Sequence, residues 1–184
     1  MSEDRRHEGL TIWLTGLPCS GKTTIAKGLG EELRAAGRLV EILDGDQVRT
    51  NLSQGLGYSK QDRDTNVRRI AYVAGLLTRN GVFVIVAAVS PYRDARAEAR
   101  CVIGNFFEVF VNCPLAVLIQ RDDKGMYRKA MDGDISNFTG ISDPYEAPDD
   151  PDLTVRTDRE TPQESCANIV AKLKELGFPV QPQP

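Results

Sequence analysis

The chain has 184 residues, 41% hydrophobic and 27% charged, enough to close one core without covalent cross-links. A formal net charge of −3 gives no global basic field for nucleic acid or an anionic membrane, and no apolar run approaches the roughly 18 residues of a membrane helix. Cys19, Cys101, Cys113 and Cys166 are scattered without CxxC spacing, which fits a reduced, cytoplasmic protein better than a disulfide framework or a zinc site.

Residues 1–9, MSEDRRHEG, read as a flexible, solvated lead-in with no signal-peptide core. LTIWLT (10–15) is a buried strand, and the helix after it runs over about 22–36 until Gly37 stops it. RLVEILD (38–44) is a second strand, and 45–62 reads as a loop. Over 64–79 a helix sets Val67, Ile70, Ala71, Ala74 and Leu77 on one face, and Asn80-Gly81 ends it. VFVIVAAVS (82–90) is apolar at nearly every position, as a central parallel strand covered on both faces must be. Pro91 opens the next helix at its first turn, where a missing N–H costs least. FFEVFVN (106–112) is a fourth strand, PLAVLIQRD starts another helix, LTVRTD (153–158) is a fifth strand, and 162–176 is a closing amphipathic helix. The last residues, 178–184, read as a loose tail.

This alternation predicts one α/β domain over 10–177, with a mainly parallel five-stranded sheet between two helical layers. The stretch 123–150 breaks the rhythm. It is polar, carries three glycines and two prolines, and is too long for a passive connection, so a lid is expected there.

The chemistry is clearest at GLPCSGKTT (16–24), which matches the phosphate-loop pattern in a strand–loop–helix setting. Gly16 and Gly21 let the backbone curl so that the N–H groups around Cys19, Ser20 and Thr24 point at one anion, at a helix N-terminus. Lys22 reaches the outer phosphates of ATP, and the Thr23 hydroxyl can ligate Mg²⁺. Cys19 is either a redox-sensitive thiol or simply a variable position whose backbone N–H matters; the second is the expectation.

Asp44, Asp46, Arg49, Arg63, Asn66, Arg68 and Arg69 follow the second strand, at the carboxyl end where ligands of such sheets bind. Arginine forks there suit a phosphate or sulfate. Arg68 and Arg69 read as a solvated helix face, whereas Arg49 and Arg63 flank a Gly-rich loop bearing Tyr58 and read as binding residues. No Asn-Lys-x-Asp guanine reader occurs, which argues against a GTP switch, and the modest length with a long lid after the fourth strand favours a kinase for a small acceptor over a motor.

LDGDQVR (43–49), GLGYS (55–59), DRDTNVRRIAYVA (62–74), SPYR (90–93), RDDKGMYRKA (121–130) and NFTGISDPYEAP (137–148) together resemble the adenylylsulfate kinase (APS kinase) family over about 9–176. The resemblance implies the P-loop NTPase fold. It also implies transfer of the γ-phosphoryl group of MgATP to the 3′-hydroxyl of adenosine 5′-phosphosulfate, giving 3′-phosphoadenosine 5′-phosphosulfate and ADP for sulfate assimilation. It further implies a homodimer with neither nucleic acid nor membrane as partner. Asp46 matches the carboxylate beside the acceptor hydroxyl, and Asp44 a holder of hydrated Mg²⁺. Arg49, Arg63 and Asn66 match contacts to phosphosulfate and ribose, while Tyr58 and Phe138, beside Asn137, match aromatics that sandwich the adenine. Val89 and Ser90 end the third strand at the site. Ser90 matches the position described as a phosphoserine intermediate, a step that direct in-line transfer does not need. Lys124 opens the lid and matches a charge neutraliser, with Arg121 and Arg128 as weaker candidates for that work. Two departures stand out: Tyr58 where many members have Phe, and Asp123 where many have Pro or a small residue. Thr157–Thr161 falls where such kinases touch the adenine of ATP. Met1 and the Pro-rich ending favour a standalone chain over one cut from a fusion with ATP sulfurylase.

Overall fold

The computed structural model describes residues 8–178 and 180, so the expectations for 1–7, 179 and 181–184 fall outside the described residues. Twelve elements follow one another: β1 (Leu10–Thr15), α1 (Lys22–Ala35), β2 (Val40–Asp44), α2 (Gly45–Asn51), α3 (Lys60–Thr78), β3 (Phe83–Ala87), α4 (Arg93–Ile103), β4 (Phe106–Asn112), α5 (Leu115–Gln120), α6 (Met126–Met131), β5 (Leu153–Arg156) and α7 (Pro162–Glu175). The five strands form one sheet in the order β2-β3-β1-β4-β5, every pair parallel. With helices on both faces this is the three-layer P-loop NTPase architecture.

The period of two along each strand divides the core. Ile12 and Leu14 of β1, with Phe83 and Ile85 of β3, face Ile25, Leu29 and Leu33 of α1 and Ile169 and Leu173 of α7. Trp13, Val84 and Val86 face the other way, onto Val67, Ile70, Ala71 and Ala74 of α3 and Ala95 and Ala99 of α4. Each fully buried aliphatic of this kind contributes about 1.5–3 kcal/mol. Thr11, also buried on that second face, satisfies its hydroxyl against that of Thr78 at 2.7 Å.

Three helix starts differ from the sequence reading. The expected loop after β2 contains α2, because the Asp44 carboxylate caps it by accepting from the Asp46 N–H at 3.0 Å. Helix α3 begins at Lys60, four residues earlier than the apolar periodicity indicates, because Ser59 accepts from the Asp62 N–H and fixes the first turn. Pro91 lies ahead of α4 rather than in its first turn. Its carbonyl accepts from the Glu146 N–H at 2.8 Å, and the Glu146 carboxylate accepts from the Arg93 N–H at 2.8 Å, so a distant segment caps the helix.

The stretch 123–150 is more structured than its polarity suggests. It contains α6 and a tight turn in which the Phe138 carbonyl accepts from the N–H groups of Ile141, Ser142 and Asp143. It also builds a small core of its own, in which Tyr127, Ala130 and Phe138 pack with Cys113 and Leu118.

Candidate active site

All strands point their carboxyl ends to one edge of the sheet, and there the loops enclose a cavity of about 640 Å³, within the range of small-molecule sites. β1 runs into the phosphate loop. A Cβ on Gly16 would lie 2.5 Å from the Val111 carbonyl oxygen, so only glycine lets β1 turn here against β4. Gly21 is the N-cap of α1 and supplies no side chain to it, which leaves the helix's first N–H groups for an anion. Lys22 folds back over the loop, donating to the carbonyls of Gly16 (2.9 Å) and Leu17 (2.7 Å) and to Ser20 Oγ (3.3 Å). Its burial pushes the ammonium down to about 8, against the opposing pull of Cys19, Asp44 and Asp46. Cys19 lines the cavity at φ 61° and is exposed, yet partial desolvation and the nearby Asp122 carboxylate raise its thiol above the usual range, which favours a position valued for its backbone N–H over a reactive thiolate.

Beside the loop, the Thr23 hydroxyl donates to Asp44 Oδ2 at 2.7 Å, while Asp44 Oδ1 holds the Asp46 N–H. Thr23, Asp44 and Asp46 all line the cavity. Among the described residues no group of three or more His, Cys, Asp and Glu gathers. The donor set is oxygen only and small, which fits Mg²⁺, an ion that keeps most of its waters and takes further ligands from substrate phosphates.

The opposite wall holds the expected acceptor residues. Arg49 donates to the Gly57 carbonyl at 2.9 Å and lays its guanidinium 4.3 Å from the centre of the Tyr58 ring. Arg63, mostly buried, donates to the carbonyls of Tyr58 (2.9 Å) and Asn137 and pairs with Asp143 at 3.4 Å. Asn66 is buried with Oδ1 lacking any hydrogen-bond partner, an orphaned acceptor beside the cavity. Such a group is costly unless a ligand satisfies it.

Ser90 forms the floor. Its hydroxyl accepts from Trp13 Nε1 at 3.0 Å and donates to Thr15 Oγ1 at 3.1 Å, and its backbone sits at φ 39°. It does not cap α4; Tyr92 occupies that position. What holds the unusual backbone is Arg96, 3% exposed, which donates to the Ser90 carbonyl (2.6 Å), the Glu146 carbonyl (2.7 Å) and the Glu108 carboxylate (2.8 Å).

The cavity thus gathers Cys19, Lys22, Thr23, Asp44, Asp46, Arg49, Tyr58, Arg63, Asn66, Val89, Ser90, Lys124, Asn137 and Phe138. Of the remaining candidates, Ser20 is buried beneath the loop, and Gly16, Gly21 and Thr24 lie outside the lining residues. Arg121 lines the wall and donates to the Thr157 carbonyl at 2.7 Å, while the Thr157 hydroxyl donates to the Ser20 carbonyl at 3.0 Å. Arg128 is exposed and does not line the cavity. Arg68 pairs with Glu98 on the surface and Arg69 reaches the Leu52 carbonyl, the solvated role expected for them.

Sequence reasoning missed Arg96, Asp122, Thr139 and Tyr127. Asp122 and Thr139 line the cavity; Arg96 and Tyr127 hold its parts together.

A family model described as adenylylsulphate kinase matches residues 8–156. An adenylyl-sulfate kinase of Rippkaea orientalis is 60% identical over 177 residues, covering 96% of this chain and 98% of that protein. One from a Picosynechococcus strain is 57% identical over 172 residues, covering 94% and 97%. The solved structure of a Mycobacterium tuberculosis APS kinase in complex with AMPPNP and APS superposes with a TM-score of 0.87 at 40% identity, covering 91% of this chain and 98% of that one.

Proposed function

The chain belongs to the adenylylsulphate kinase family, and from that membership we propose its reaction: the γ-phosphoryl group of MgATP passes to the 3′-hydroxyl of adenosine 5′-phosphosulfate. The bond from the γ-phosphorus to the β–γ bridging oxygen breaks, a bond to the 3′-oxygen forms, and the hydroxyl proton departs, giving ADP and 3′-phosphoadenosine 5′-phosphosulfate. The observation that carries this reading is the single cavity with a phosphate loop at one end and an arginine-and-asparagine wall at the other.

The bare N–H groups at the start of α1 receive the triphosphate, and Lys22 exchanges its loop carbonyls for the outer phosphates. Thr23 and, through water, Asp44 would hold Mg²⁺, which would supply charge neutralisation for the phosphates. Asp46 orients the acceptor hydroxyl and takes its proton late, since a loose transition state asks little of a base. Arg49, Arg63 and Asn66 hold the phosphosulfate and ribose, with the orphaned Asn66 Oδ1 offering an acceptor for a ribose hydroxyl. Tyr58 and Phe138, beside Asn137, flank the adenine, Lys124 neutralises charge on the phosphates or the acceptor anion, and the lid keeps water from the γ-phosphate. Ser90 acts as a fixed floor, and transfer is direct.

A homodimer working in the cytoplasm completes the reading. The four free cysteines support the compartment, and the family resemblance supports the assembly.

A coupled assay for ADP tests the reaction. ADP release that depends on added adenosine 5′-phosphosulfate is the expected result. Hydrolysis that proceeds equally without it would turn the chain into a nucleotide switch, and faster transfer to another acceptor would reassign the substrate.

A further inference from the structure

Tyr127, in the first turn of α6, has no exposed surface, yet its hydroxyl reaches out of the lid. It donates to the carbonyl of Pro18 in the phosphate loop at 2.9 Å. Its backbone N–H donates to the Asp122 carboxylate at 2.6 Å, which pins the start of the helix. Its ring meets Phe138 edge on, with centroids 5.0 Å apart and planes at 77°. Phe138 lines the acceptor half of the cavity. One side chain therefore touches the loop that cradles a triphosphate and the wall that faces the other ligand.

A ring that only filled the lid's small core would need no hydroxyl, because a buried phenol is unfavourable unless it finds a partner. Here the partner is a main-chain oxygen next to the amides that meet phosphate. A parallel contact joins the same two parts. Leu17 packs against the lid cluster, and a Cβ on Gly140 would approach Leu17 Cδ2 to 2.7 Å, so the turn after Phe138 lies directly on the loop.

We propose that Tyr127 is a positioning residue that couples the two pockets, in an inference that rests on the reaction assigned above. Nucleotide on the loop fixes the Pro18 carbonyl, the carbonyl fixes the phenol, and the ring fixes Phe138 against the acceptor's base. By linkage the acceptor tightens the loop around nucleotide by the same factor.

The test is isothermal titration of adenosine 5′-phosphosulfate into the full chain, with and without saturating MgADP. The ratio of the two dissociation constants measures the coupling and is expected to differ from one by about fivefold or more in the unaltered protein. Tyr127→Phe keeps the ring and removes the bond to Pro18. It should move the ratio at least about twofold towards one and leave acceptor affinity without nucleotide within about twofold of its original value, because the phenol's share of the coupling free energy is lost while the Leu17 contact and each pocket remain. A merely structural tyrosine would lower the melting temperature and leave the ratio untouched. That outcome, or an unaltered protein whose ratio is already one, overturns the inference. Should Tyr127→Phe fail to fold, Leu17→Ala severs the parallel contact from the loop side and must also reduce the ratio; an unchanged value there overturns the inference as well. If the unaltered protein binds no adenosine 5′-phosphosulfate at all, the reaction assignment fails instead, so the two failures are distinguishable.

Discussion

A lysine enclosed by the carbonyls of its own loop titrates far below its usual range. Burial holds Lys22 down at about 8, whereas in the unfolded chain it keeps its proton to about 10.4. Between these values the unfolded state binds more protons than the folded one, so this group makes the fold more stable as pH rises from about 8 towards 10.5. A triphosphate beside the ammonium favours the charged form. Nucleotide binding at pH 8 should therefore take up about half a proton, read from binding heats in buffers of different ionisation enthalpy, and affinity should weaken at higher pH. No proton uptake would show that Lys22 is already charged. At Ser90 the expectation is modest. With the hydroxyl engaged by Trp13 and Thr15, Ser90→Ala should lower kcat by about tenfold at most, the effect of one hydrogen bond, and mass spectrometry after MgATP should find no phosphate on Ser90. Loss of nearly all activity in that variant would restore the covalent route. The phosphate-loop residues were legible because glycine, lysine and threonine at fixed spacing have a local mechanism. Arg96 was not, because RDARAEAR reads as a solvated helix face until Glu108 and the carbonyls of Ser90 and Glu146 surround it.

Helix α7 shows how far local rules reach. Thr161 and Glu164 form a reciprocal capping box, with the Thr161 hydroxyl accepting from the Glu164 N–H and the carboxylate accepting from the Thr161 N–H at 2.7 Å. Pro162 follows at the first helical position, so this start was readable from the chain. Glu164→Ala should reduce stability by about 1 kcal/mol in urea titration while kcat stays unchanged, since Glu164 lies outside the cavity lining. A drop in kcat would mean that α7 communicates with the site. Ser59 and Asp44 carry comparable capping signals for α3 and α2, but neither precedes an apolar-periodic run, so periodicity alone drew both starts wrongly. The cap of α4 was beyond any local reading, because the Glu146 carboxylate that provides it arrives from 53 residues further along the chain.

Across the molecule, the pair Arg96–Glu108 ties α4 to β4, and Arg96 then carries the tie to the segment that returns from the lid. Glu108 also receives Arg100 at 3.7 Å. Glu108→Leu would strand a buried guanidinium and should cost about 3 kcal/mol or more, measured as a shift in the urea midpoint. A shift below 1 kcal/mol would show that the two carbonyls suffice for Arg96. The layer architecture was legible from the alternation of apolar strands and amphipathic helices, whereas the lid's own core was hidden, because Tyr127 lies beside charges and Phe138 between small polar residues in sequence and the two meet only in space. Parallel strands also orient the ends of the chain. Arg38 donates to the Glu8 carbonyl and lies over Phe83, the first residue of β3, and Phe178 meets that same ring edge on. Glu8 and Phe178 therefore lie near one another, about one strand length, roughly 20 Å, from the mouth of the cavity. A dye attached at Glu8 or Phe178 would leave that mouth open to solution.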